Sequence, residues 1–172
     1  MMNCEECELL HDRISIKQVV PLCKKDYEAG GTTALLDAIG ITLQKIRNAQ
    51  EESPKEERPK QVLFVITTDG LENASVEYSY EKVKQLIKRQ KELGWQFIFL
   101  GANIDAIGTA SRMGIDRDYA VDYHADRVGT EVNFSAVSET VIQCRMEGKL
   151  IIAGRRKSKL IIVIESNSLF NF

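Results

Sequence analysis

Val62-Leu-Phe-Val-Ile-Thr-Thr-Asp69-Gly70-Leu-Glu-Asn73 is the stretch on which the fold of this chain turns. Its first five residues are apolar and three of them are β-branched, the pattern of a strand buried on both faces in a parallel sheet. The run breaks at Thr67-Thr68-Asp69-Gly70, which sets a carboxylate just past the carboxyl end of the strand. Open α/β sheets bind their ligands along that edge. Upstream, Gly30-Gly31-Thr32-Thr33 opens a helix that should start on the same edge, with Thr32 or Thr33 as its natural N-cap. One carboxylate, two hydroxyls and the helix-start amides are thus expected to converge, a chemistry suited to a cation or an acidic ligand.

Working outward, Leu36, Ile39, Leu43 and Ile46 repeat at helical spacing on one face. Gly40 inside that helix costs up to ~1 kcal/mol relative to Ala and predicts a close helix–sheet approach. Asn48 to Lys60 is charged, carries two prolines and reads as a solvated loop. After the strand, Tyr80, Val83 and Ile87, flanked by Leu86 and Leu93, form an amphipathic helix stopped at Gly94. Trp95 to Leu100 is a second strand, and Gly101-Ala-Asn103 leads into a short helix from Ile104 to Met113. Tyr119 to Tyr123 is a further strand, and Phe134, Val137, Val141 and Cys144 mark a last helix.

Strands and helices alternating at such short intervals predict an α/β fold, with an open, mainly parallel, Rossmann-like sheet covered by helices on both faces. Met1 to Leu22 reads as extended, with a hairpin-like edge from Leu9 to Ile16 ended by Pro21. Leu150 to Ala153 and Leu160 to Ile164, split by the basic Gly154 to Lys159, read as two strands or an added hairpin. Residues 1–148 are therefore expected to form the α/β domain, and residues 149–172 a C-terminal strand pair or an extension of it.

The chain has 172 residues, which suits one domain with a proper core. Its 44% hydrophobic and 28% charged composition is that of an ordinary globular protein. Lys+Arg 23 against Asp+Glu 25 leaves a net charge of −2, which argues against a nucleic-acid partner held by phosphate neutralisation. No apolar run approaches the ~20 residues of a membrane span, and no charged-then-apolar signal-peptide pattern is read in the sequence, so neither is expected. The four cysteines do not form a secreted disulfide framework, so a cytoplasmic location is expected.

Several weaker patterns have plainer readings. Cys4-Glu-Glu-Cys7 invites a zinc or redox role, but Cys23, Cys144, His11 and His124 supply no second pair at matching spacing. Two half-buried thiols on an extended segment are the favoured reading. His11 and His124 lie near Asp12 and Asp126 without an accompanying nucleophile. Neither G-x-x-x-x-G-K-S/T nor G-x-G-x-x-G occurs, although the amides at Gly30 to Thr33 could still hold a phosphate. Arg155-Arg156-Lys157 and Lys159 read as a solvated turn.

At the sheet edge, Mg²⁺ or Mn²⁺ suits an oxygen-only set because these hard cations keep several waters. With one carboxylate and hydroxyls as ligands, the ion would retain positive charge and open positions for an acidic group of a partner. On residue chemistry alone, a helix cap and an Asp-Gly turn are the favoured reading of the same residues.

Gly30-Gly31-Thr32-Thr33-Ala34-Leu35-Leu36-Asp37-Ala38-Ile39-Gly40, followed by Val65-Ile66-Thr67-Thr68-Asp69-Gly70-Leu71-Glu72-Asn73-Ala74-Ser75, resembles the von Willebrand factor type A domain. The first segment resembles that family's threonine motif and the second its strand-Thr-Asp-Gly motif. Trp95 to Asp105 is similar to the next strand and loop of bacterial members, and the resemblance covers Leu9 to Glu147. It implies a metal-ion-dependent adhesion site for Mg²⁺ or a similar ion. Thr33, matched by helix register, takes the direct-ligand role with Thr32 as the alternative, and Asp69 acts through a bound water. The implied function is protein–protein interaction, with no catalytic residue.

The family's first strand ends in D-x-S-x-S, and nothing from Met1 to Glu28 fits it. The resemblance therefore implies an N-terminally incomplete domain whose partial site binds Mg²⁺ weakly or not at all. Two other classes stand beside it. One is a metal-dependent phosphoryl-transfer enzyme or hydrolase using Asp69; a haloacid dehalogenase type would want a second aspartate where Leu71 stands. The other is a metal-free fragment pairing with another chain, or with a second copy, through an exposed sheet.

Overall fold

The apolar run from Val62 to Ile66 forms the strand β1, Gln61–Thr68, and every residue from Val62 to Thr68 is buried. In this computed structural model the described residues are 15–20, 32–59, 61–124, 126–147 and 159–166. Strand alternation sends Phe64 and Ile66 to one face of the sheet and Leu63 and Val65 to the other, where each joins a separate apolar cluster. A strand with no polar face needs cover on both sides.

Upstream of β1 lies α1, Leu35–Glu52; downstream follow α2, Tyr80–Glu92, β2, Gln96–Ala102, and α3, Ala106–Arg112. The described chain continues with β3, Ala120–Tyr123, α4, Arg127–Glu147, and β4, Lys159–Ser166. The sheet order is β3-β2-β1-β4 and every pairing is parallel. Winding runs from β1 outward to β3 and then turns back across the sheet to β4. Leu35, Ile39, Val83, Ile87, Ala106 and Ala110 from α1, α2 and α3 pack on the Phe64 face. Val137 and Val141 of α4 pack on the Leu63 face. That division is what right-handed crossovers require when the winding reverses direction. The chain is thus an α/β protein with a parallel, open sheet and helices on both faces.

Several boundaries differ from expectation. Helix α1 continues through Asn48–Glu52, which the charge pattern had assigned to a loop; Ala, Gln and Glu are strong helix formers, and charge alone does not end a helix. It stops at Ser53, whose extended ψ of 147° is what a following proline imposes. Ile16–Gln18 is a single 3-10 turn, closed by Gln18 N–H donating to the Ser15 carbonyl at 2.8 Å, rather than part of an extended strand. Gly94 ends α2 with φ +88°, the left-handed stop its sequence predicts. Among the described residues, no helix is long and apolar enough to cross a membrane. The expected Leu9–Ile16 hairpin, except for Ser15 and Ile16, and the expected strand Leu150–Ala153 lie outside the described residues. So do Gly30, Gly31, Cys4, Cys7, Cys23, His11 and the Arg155–Lys157 cluster.

Candidate functional site

Asp69 and Gly70 leave the carboxyl end of β1 as a bend, and the segment that follows folds back over the start of α1. Thr33 meets that segment directly. Its backbone N–H donates to Asn73 Oδ1 at 2.8 Å, and its carbonyl accepts from the N–H groups of Asn73 and Ala74 at 3.1 and 3.3 Å. A Cβ built on Gly70 would lie 2.7 Å from Thr33 Oγ1, so the glycine is what lets the Asp69-Gly70 backbone come this close to the hydroxyl. The residue after Asp69 therefore touches Thr33, and the two sequence-selected residues share one rim of the sheet. Thr33 is 7% exposed, whereas Asp69 is half-buried. Thr68, fully buried beside them, donates its hydroxyl to the Gly70 carbonyl at 2.9 Å and holds the bend.

Two further carboxylates lock this arrangement, and the sequence reading missed the role of both. Glu72 accepts from Leu36 N–H at 2.9 Å, from Ala74 and Ser75 N–H at 3.1 and 2.8 Å, and from the Ser75 hydroxyl at 2.7 Å. Ser75 Oγ in turn accepts from Asp37 N–H at 3.0 Å. Asp37, 3% exposed, accepts from three successive amides: Val76 at 2.8 Å, Glu77 at 3.0 Å and Tyr78 at 2.8 Å. Consecutive N–H groups facing one concavity make an anion nest, and here the chain's own aspartate fills it. Glu72 also sits at the positive end of the α1 dipole.

These bonds correct the expected helix cap. The N-cap of α1 is Ala34, which makes no side-chain cap bond, so neither Thr32 nor Thr33 caps the helix. Its orphan first-turn amides are instead satisfied across the fold by Glu72 and Ser75. Of the Gly30 to Thr33 amides expected to be able to hold a phosphate, that of Thr33 is taken by Asn73, while Gly30 and Gly31 lie outside the described residues. Gly40 likewise answers to a different neighbour than the sheet: a Cβ there would overlap the Tyr78 ring. Tyr78 is held above its ordinary pKa of 10.0 by burial first, then by Glu77 and Asp37.

Other acidic residues near this edge already have structural partners. Asp105 caps α3 through Gly108 N–H at 2.8 Å, and Asp122 accepts from Ala106 N–H at 2.7 Å. Asp126 accepts from Gly129 N–H at 2.6 Å at the start of α4, so it serves the helix rather than His124. Among the described residues, no three His, Cys, Asp or Glu side chains gather as a ready metal cage. What the rim does offer is a hydroxyl, Thr33, packed against the residue that follows a strand-end carboxylate, Asp69. Such a set fits a hard divalent cation that keeps part of its water shell. Set against protein-family models, curated proteins and solved structures, the chain finds no match in any of the three.

Proposed function

We propose that this chain is a cytoplasmic protein–protein interaction module of the von Willebrand factor type A kind, built on a Rossmann-like sheet. Thr33 and Asp69 hold Mg²⁺ or Mn²⁺ at the carboxyl rim, Thr33 by its hydroxyl and Asp69 through a water. The bound cation supplies positive charge and open coordination positions that an acidic side chain of a partner can fill. The observation that carries this reading is the contact between Gly70 and the Thr33 hydroxyl, which joins the two motifs at one point of the sheet edge.

Everything around that point acts to position it. Glu72, Asn73 and Ser75 fix the loop after β1 to the first turn of α1. Asp37 fixes the far end of the same loop. A rigid hydroxyl beside a half-solvated carboxylate leaves the outward side of the ion open, which suits docking better than enclosure. With so few protein ligands, the affinity belongs in the millimolar range rather than the micromolar.

An immobilised peptide ending in aspartate tests the reading. Retention of the protein by that peptide in millimolar Mn²⁺, lost on adding EDTA and lost in Thr33→Val, is the expected result. Equal retention with and without Mn²⁺ would refute it.

A further inference from the structure

The C-terminal strand ends at the same rim. β4 runs parallel to β1 along its whole length, from Gln61 opposite Lys159 to Thr67 opposite Glu165 and Thr68 opposite Ser166. Neighbouring strands lie about 4.8 Å apart, so the positions of Glu165 and Ser166 stand one strand away from Thr67 and Thr68, immediately before Asp69. A carboxylate-bearing and a hydroxyl-bearing position are thereby added to an edge where Thr33 and Asp69 already meet.

A second observation points to the same place. Thr67 is 1% exposed, and among the described residues its Oγ1 has no hydrogen-bond partner. A buried hydroxyl in that state calls for a physical explanation, and a bound ion is one that fits. Thr67 is the register partner of Glu165 and lies two residues from Asp69. Parallel register thus sets the Glu165 position one strand from Thr67, two residues before the strand-end carboxylate. Bringing the position of a second acidic residue toward Asp69 is unfavourable for two bare carboxylates, and a cation between them reverses the sign.

We propose that docking of β4 along β1 and occupancy of the rim by a divalent cation are thermodynamically coupled, through the juxtaposition of Glu165 and Ser166 with Thr67 and Thr68. This rests on the cation-binding reading of Thr33 and Asp69 and adds to it a regulatory strand. Linkage is reciprocal: cation tightens β4 on the sheet, and release of β4 weakens the cation.

The test is amide hydrogen exchange of the full chain with and without manganese chloride, beside Mn²⁺ titrations of wild type, Asp69→Asn and Glu165→Gln. Mn²⁺ should slow exchange across 159–166 by at least about fivefold, the low end of typical inter-site coupling. Glu165→Gln should weaken Mn²⁺ by a similar factor, and Asp69→Asn should abolish both effects. Mn²⁺ binding that depends on Asp69 yet leaves β4 exchange and the Glu165→Gln affinity unchanged would overturn the coupling while leaving the rim reading intact. No binding at millimolar Mn²⁺, or binding indifferent to Asp69, would overturn both. The exchange measurement on wild type needs no substitution, so a folding defect in a variant cannot mask the outcome.

Discussion

Asp37 does more for the candidate site than its distance from Asp69 in sequence suggests. Its carboxylate is the acceptor for three backbone amides some forty residues away. Asp37→Ala leaves those buried donors without a partner and should cost about 3 kcal/mol of folding stability in denaturant titration. Asp37→Asn, which keeps one acceptor oxygen, should cost less. Gly70→Ala pushes a methyl group into Thr33 Oγ1 and should destabilise by about 1–3 kcal/mol while weakening Mn²⁺ binding. Tyr78 supplies a pH prediction with a definite sign. Its folded pKa is raised above 10.0, so its stabilising contribution is complete below that value and lost as pH rises through the folded pKa. Thermal stability should therefore fall more steeply above pH 10 in wild type than in Tyr78→Phe. Thr33 and Asp69 were legible as a pair because each closes a recognisable local pattern. The clamping carboxylates were not, because their partners are backbone groups brought near only by the fold. The signal was faint but present: Asp37 lies three residues before Gly40 and beside the apolar stripe of Leu36 and Ile39, an odd place for a charge facing solvent.

Among the elements, β1, α2 and β2 were readable because an unbroken apolar run, an amphipathic period and a terminal Gly94 each have one physical interpretation. The C-terminal end of α1 was misread for the opposite reason: a charged stretch is compatible with either loop or exposed helix, and Pro54 rather than charge decides the stop. The interaction between α1 and the loop after β1 also explains Gly40. The glycine leaves room for the Tyr78 ring, and Gly40→Ala should destabilise by about 1–3 kcal/mol despite a helix-propensity gain of up to ~1 kcal/mol. In a Tyr78→Ala background the same change should become neutral or stabilising. A double-mutant cycle measured by chemical denaturation checks this coupling.

At the scale of the whole molecule, the sheet brings β4, from near the end of the chain, beside β1. An apolar run such as Leu160 to Ile164 fits the edge of any buried strand, so the sequence could announce a strand there but not its neighbour. Pairing along β1 covers an edge that would otherwise offer its backbone groups to a second chain. Ile162→Pro removes an N–H from β4 and should loosen it; the freed β1 edge should then raise the dimer fraction in sedimentation equilibrium. Unchanged mass would mean that the edge is protected in another way.

The central claim is that Thr33 and Asp69 serve one ion. Mn²⁺ titration of wild type, Thr33→Val, Asp69→Asn and the double variant measures this as a thermodynamic cycle. The account predicts that each single substitution reduces binding strongly and that the double variant is little worse than either, because both residues act on the same cation. Additive losses, or Mn²⁺ binding unaffected by either substitution, would contradict it.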